Sequence, residues 1–230
     1  MPATRKFSNS SAGGSSIDPA QNTATLPDDP SPGPNVALTS LEAALHRIDI
    51  DLTRAHVSFA LIGGLAVSAR TEPRFTQDAD LAVSVASDAE AEALVHRLGL
   101  LDYRVRSILE QEAAGRLATV RLACSADPQP PVVDLLFASS GIETEIVRQA
   151  EIIEMLPGLS MPVATTGHLI ALKVLSRDDT TRPQDLPDLR ALLRVASAAE
   201  LARARHALAL VMSRGYHRNR DLIVDLDRLL

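Results

Sequence analysis

Tryptophan is absent from this 230-residue chain, cysteine occurs once and lysine twice. A lone cysteine, Cys124, excludes an intramolecular disulfide and argues against a zinc knuckle, which draws on several thiolates. No apolar run reaches the roughly 18 residues that a membrane span requires. Arg5 and Lys6 are followed by no apolar stretch, so the start does not read as a secretory signal. Positive charge is also in short supply. The formal net charge of −6 argues against a protein that coats nucleic acid nonspecifically, although a local basic site remains compatible with it. These absences together lead to the expectation of a soluble protein of a reducing compartment, the cytoplasm, with no membrane partner.

What the chain does have is length and apolar content. With 46% hydrophobic residues, 230 residues suffice for one large domain or two small ones, with no need of a disulfide or structural metal. Of the 23 basic residues 21 are arginine, which together with abundant alanine resembles a high-GC bacterial codon bias. Lys173 is then the only lysine outside the first residues, and a rare choice in this composition.

Residues 1–36 read as a disordered tail. The first 34 residues hold six Ser, six Pro and three Gly and too few apolar side chains to offset the entropy of ordering. A functional tail and an artefact of start-codon choice fit this segment equally. Residues 37–140 read as an α/β core: a helix capped by Thr39 or Ser40 with Leu41, Ala44, Leu45, Ile48 and Leu52 on one face, a strand Ser58–Ile62 and a helix from Leu65 to Arg70. An alternating strand Asp78–Val85 follows, then a helix opened by the capping-box signature Ser87–Glu90 and closed by Gly99. Further strands are expected over 103–109, 116–123 and 131–137. Residues 141–230 read as a short helix over 143–150, a hairpin around Pro157-Gly158 and helices over 166–177, 183–196, 198–213 and 218–229.

Three acids stand in strand contexts. Asp78 and Asp80, two residues apart, project from the same face of one strand. Asp134 lies 54 residues after Asp80 inside the apolar run Pro131–Phe137, where a carboxylate is costly unless something pairs with it. If these strands are neighbours, three like charges repel and raise one another's pKa, and a divalent cation removes the conflict. Mg²⁺ suits carboxylates combined with substrate phosphates, and two ions would clamp the attacking and leaving oxygens of a phosphoryl displacement. Gly63-Gly64, between a strand and a helix, lets backbone approach a ligand and offers helix N-terminal N–H groups to a phosphate. The Gly-Gly pair, 13 residues, Asp-x-Asp and a later strand acid together form a pattern far stronger than any one part.

Leu61-Ile-Gly-Gly-Leu and Arg74-Phe-Thr-Gln-Asp78-Ala-Asp80-Leu81 resemble the first motif of the nucleotidyltransferase superfamily, most closely its AbiEii-type toxin branch. Leu169-Ile-Ala-Leu-Lys173 with Arg182-Pro-Gln-Asp185-Leu-Pro-Asp188-Leu189 is similar to that branch's second motif; Ser176, Gln184 and Pro187 depart from it. The resemblance implies a mixed α+β nucleotidyltransferase palm with a helical C-terminal region. It implies that Gly63 and Gly64 cradle an NTP, Asp78, Asp80 and Asp134 hold the metal, and Asp134 helps to deprotonate the attacking hydroxyl. Lys173 would bind the triphosphate and Asp185 would be a further catalytic or positioning acid. Some members of the group add nucleotides to the 3′ end of tRNA, which implies tRNA as acceptor and a cognate antitoxin as partner.

Each residue also has a plainer reading. Asp78 and Asp80 fit an edge strand facing solvent; Asp134 fits a turn cap or an Arg partner. Lys173 fits a snorkelling side chain, although arginine would serve as well in this composition. Arg70 and Arg74 fit either phosphate contacts or plain surface positions. Asp185 and Asp188 complement a helix dipole. Arg214, His217, Arg218 and Arg220 around Gly215 suit either an RNA contact or a solvated turn. Three classes of function remain open: an RNA-modifying toxin, a transferase acting on a protein or small molecule, and a non-catalytic NTP-binding module.

Overall fold

The computed structural model describes residues 40–111, 116–124 and 131–230. The expected tail, residues 1–36, and the cap at Thr39 lie outside the described residues.

Among the described residues fifteen elements follow in chain order: α1 (Ser40–Arg54), β1 (Ser58–Ile62), α2 (Gly63–Arg70), β2 (Asp78–Ser84), α3 (Asp88–Leu100), β3 (Tyr103–Gln111), β4 (Arg116–Cys124) and β5 (Val132–Leu136), then α4 (Glu143–Arg148), β6 (Glu151–Leu156), β7 (Leu159–Val163), α5 (Thr166–Ser176), α6 (Asp185–Val195), α7 (Ala198–Ser213) and α8 (Leu222–Asp227). The strands form one mixed sheet in the order β3-β4-β5-β2-β1-β7-β6. β2 pairs with β5 and β1 with β7 in parallel; the other neighbours are antiparallel. The mixed α/β fold expected from the sequence is the one observed.

The central strands are short and apolar because helices cover them. Leu61, Leu81 and Leu135 are each fully buried. On β2 the expected alternation breaks after Asp80: Ala82 is as buried as Leu81 and Val83, because α4 packs against β2 there. On that face Asp78 and Asp80 at one end of the strand, and Ser84 at the other, remain partly exposed. Arg70 at the end of α2 donates to the Val163 and Ala164 carbonyls and pairs with Glu151, which ties α2 to the β6–β7 side of the sheet.

α5 is the helical hub, packing against α2, α6, α7 and α8. Thr165 caps it by accepting from the His168 N–H, and Leu169, Ile170, Ala171, Val174 and Leu175 are all buried. Pro187 sits in the first turn of α6, where its missing N–H costs no helical hydrogen bond. Ser87 caps α3 as expected, but the helix runs through Gly99 to Leu100. Among the described residues no helix is long and apolar enough to cross a membrane.

Candidate active site

β2 and β5 run side by side in a register that sets Asp80 directly opposite Asp134 and Asp78 opposite Val132. Adjacent opposed residues share a sheet face, so the three acids of the sequence pattern stand on one face of two neighbouring strands. Burial raises the pKa of Asp80 to about 6; the negative charges of Asp134 and Asp78 add to the rise, and Lys173 and Arg182 pull it back. Among the described residues neither Asp78 nor Asp80 belongs to an ion pair, whereas the other acids around them do.

The Gly-Gly turn is shaped around these side chains. Gly63 has φ +66°, and a Cβ there would lie 1.9 Å from Asp80 Oδ2 and 2.8 Å from Asp80 Cβ. No other residue leaves Asp80 in this position. A Cβ on Gly64 would lie 2.8 Å from Arg74 Nη2 and 3.1 Å from Thr76 Oγ1. α2, which begins at Gly63, is thereby brought with its first residue against Asp80.

Opposite the acids lies a chain of buried charge. Lys173 Nζ donates to Asp185 Oδ1 at 2.7 Å and pairs with Asp188 Oδ2 at 2.8 Å. Asp188 accepts a second, bidentate contact from Arg74, Nε to Oδ1 and Nη2 to Oδ2, both at 2.7 Å. Asp185 also accepts from Ser176 Oγ and faces Arg182. Lys173 is thus buried and held between two acids, the reverse of a snorkelling side chain. Asp188, whose plain reading was a helix-dipole charge, joins α6 to α5 and to the Arg74 loop. Its side chain is only 2% exposed, and Arg74 and Lys173 lower its pKa against the opposing effect of burial.

Arg121 was not singled out from the sequence. It lies on β4 opposite Asp134 and donates Nε to Oδ1 at 2.9 Å and Nη2 to Oδ2 at 2.7 Å. Nothing local marks it: Arg121 alternates with the buried Val120 and Leu122 as any outward-facing strand arginine does, and only the β4–β5 register sets it across from Asp134.

Gly63, Gly64, Arg74, Asp78, Asp80, Asp134, Lys173 and Asp185 all line one cavity of about 570 Å³, together with Arg121, Arg182 and Arg218. A second cavity of about 620 Å³ shares Arg74, Thr76 and Asp78 with it and is otherwise mostly apolar, with Leu41, Leu45, Leu65, Met155 and Leu156 in its wall. Phe75 borders this second cavity and is 82% exposed, while Phe59, Phe137, Tyr103 and Tyr216 are buried. The basic residues around Gly215 do not form one patch. Arg214 pairs with Glu145 and Arg220 with Asp225, and only Arg218 reaches the main cavity. Arg70 does not line it either.

Among the described residues no three His, Cys, Asp or Glu side chains already form a metal site. The donor set nonetheless fits a hard divalent cation: carboxylates on adjacent strands, one with its pKa raised by burial and then by its like-charged neighbours, on a cradle that a Cβ at Gly63 would fill.

The family model for the nucleotidyl transferase AbiEii toxin of type IV toxin–antitoxin systems matches residues 47–229. No curated protein gives a significant match. Among solved structures the chain is similar to ANT(2")-Ia in complex with adenylyl-2"-tobramycin, at 16% identity and a TM-score of 0.50, over 76% of this chain and 99% of that one. It is also similar, at 17% identity and a TM-score of 0.49, to an antigenic nucleotidyltransferase-like protein from Paracoccidioides brasiliensis, over 82% of this chain and 92% of that one. At 16% identity the likeness to ANT(2")-Ia is one of fold alone.

Proposed function

The chain belongs to the AbiEii nucleotidyltransferase family, and on that premise we propose that it moves a nucleoside monophosphate from an NTP to the 3′-terminal hydroxyl of tRNA, as the toxin of a toxin–antitoxin pair. The observation that carries this reading is the Asp80–Asp134 register, with Asp78 beside it and Gly63 fitted against it, at the wall of a cavity that also holds Lys173.

In this reading the first turn of α2, after Gly63 and Gly64, receives the triphosphate on its backbone N–H groups. Lys173, Arg182 and Arg218 face the same cavity and offset the phosphate charge. Arg74 shapes the entry from its pair with Asp188. Asp78, Asp80 and Asp134 are the residues that would hold Mg²⁺, in one or two ions. Bound there, Mg²⁺ supplies charge neutralisation and alignment of the attacking and leaving oxygens. The acceptor hydroxyl oxygen bonds to the α-phosphorus, the bond to the pyrophosphate oxygen breaks, and the hydroxyl proton passes to Asp134. Asp185 positions Lys173. The protein's contribution is mostly positioning and electrostatics, as is general for phosphoryl transfer.

The second cavity supports a nucleic-acid acceptor. Phe75 offers a bare aromatic face at its edge, and Asp78 forms part of the boundary with the main cavity. An unpaired base of a single-stranded 3′ end can stack on such a ring, which leaves its ribose towards the acids. The test is label transfer from each α-³²P NTP in turn, with Mg²⁺ and either total tRNA or cell protein. Label on tRNA supports this reading; label on protein alone moves the acceptor to another class, and label on neither contradicts both. Growth arrest on induction, relieved by a gene-neighbour product, supports the toxin and antitoxin roles.

A further inference from the structure

Asp134 is assigned above as a ligand and a proton acceptor, yet both of its oxygens already accept from Arg121. A carboxylate held bidentate by a guanidinium is a poor ligand and a poor base, because its charge and lone pairs are engaged. Arginine does not deprotonate, so no change of pH within the ordinary range frees it. The pair can be opened only by exchanging one partner.

The two partners differ in freedom. The Asp134 side chain is 10% exposed and fixed mid-strand, while the Arg121 side chain is 45% exposed and lines the main cavity. Arg121 is therefore the partner with room to move. Its fork matches phosphate oxygens as well as it matches a carboxylate.

We propose that Arg121 is an internal counter-cation that holds Asp134 until nucleotide arrives, so that the site accepts a divalent ion only together with a triphosphate. The inference rests on the nucleotidyltransferase reading and deepens it. A free cation must displace Arg121 and leave a guanidinium unpaired beside it. When the cation arrives with a triphosphate, Arg121 exchanges the Asp134 carboxylate for phosphate oxygens and no charge is left without a partner. Asp134 becomes available as ligand and base only once substrate is in place. Asp78 and Asp80, which have no guanidinium of their own among the described residues, make the first contact with the ion.

The test is calorimetric titration of Mn²⁺ into the full chain, alone and with each of the four α,β-methylene NTPs in turn. Wild type should bind Mn²⁺ weakly alone and at least tenfold more tightly with one of the analogues. Arg121→Gln should bind Mn²⁺ alone at least tenfold more tightly than wild type and lose most of the coupling to nucleotide. Arg121→Lys, which keeps the charge and loses the fork, should fall between them. Adding Asp134→Asn to Arg121→Gln should cancel the gain. The inference is overturned if Arg121→Gln and wild type bind Mn²⁺ alone equally, or if wild type shows no coupling. If neither protein binds Mn²⁺ even with an analogue, the nucleotidyltransferase site itself is misassigned. Far-UV circular dichroism of each variant separates these results from misfolding.

Discussion

Arg74 and Asp188 stand 114 residues apart in the chain and close a bidentate ion pair with both arms at 2.7 Å. The same Asp188 takes Lys173, so one buried carboxylate fastens the loop before β2, the hub helix α5 and the start of α6 to one another. Without Asp188, Lys173 keeps Asp185 while the quarter-exposed Arg74 loses its carboxylate, so the cost is at most the roughly 3 kcal/mol of breaking a buried pair. Asp188→Ala should lower the urea midpoint, with a loss of unfolding free energy up to that size, and weaken NTP binding. An unchanged midpoint would mean that the pair holds nothing together.

Gly63→Ala should be worse for transfer than for folding. The left-handed backbone costs an L-residue about 1–2 kcal/mol, and the added carbon would overlap the Asp80 carboxylate. Transfer should fall at least a hundredfold while far-UV circular dichroism stays that of wild type. Gly99→Ala is the control. It lies inside α3 with open space where a Cβ would go, so it should be neutral or stabilising by about 0.5–1 kcal/mol. Full activity in Gly63→Ala would remove the reason given for that glycine.

His168 makes stability depend on pH. Burial first, and then Arg203, lower its pKa from 6.5 to about 4, against the pull of Glu200 and Glu145. The folded state therefore keeps it neutral at pH values where the unfolded chain protonates it. Above pH 6.5 it costs nothing; between pH 6.5 and about 4 the unfolded state binds more protons, so stability falls as pH falls. At pH 5 the loss is about 2 kcal/mol. His168→Gln should show a smaller drop in urea midpoint between pH 7 and pH 5 than wild type does. Equal drops would place the acid sensitivity elsewhere.

Phe75→Ala should raise KM for tRNA at least tenfold and leave the affinity for an NTP analogue unchanged, since the ring borders the second cavity and not the first. Phe75→Tyr should restore most of the loss, because stacking needs a π face and not a particular base. An unchanged KM for tRNA would argue that the acceptor does not use this surface.

How much of this was legible beforehand follows from the range of each signal. Strands such as Ser58–Ile62 and the helix of residues 198–213 were readable because their patterns are local, and Gly63, Asp78 and Asp80 because they lie within one short motif. Asp134 was readable as an acid that an apolar strand could not leave unpaired. Its partner was not, since the register that sets Arg121 across from it is a property of strand pairing. The same holds for Asp188: a charge in the first helical turn has an adequate local explanation, and only the packing of α6 on α5 gives it Lys173 and Arg74. Gly99 misled because a glycine with open space around it need not end a helix.

In the proposed reaction Asp80 stays in an unfavourable place because transfer needs its charge there. A carboxylate whose pKa is raised from 3.8 to about 6 burdens the folded state at neutral pH, by about 3 kcal/mol. Asp80→Asn keeps the shape and removes the charge. Measured side by side, with thermal melts in EDTA and label transfer from α-³²P NTP in Mg²⁺, the variant should melt higher than wild type while transfer falls at least a thousandfold. A variant that transfers label at the wild-type rate would contradict the account, whatever its melting temperature.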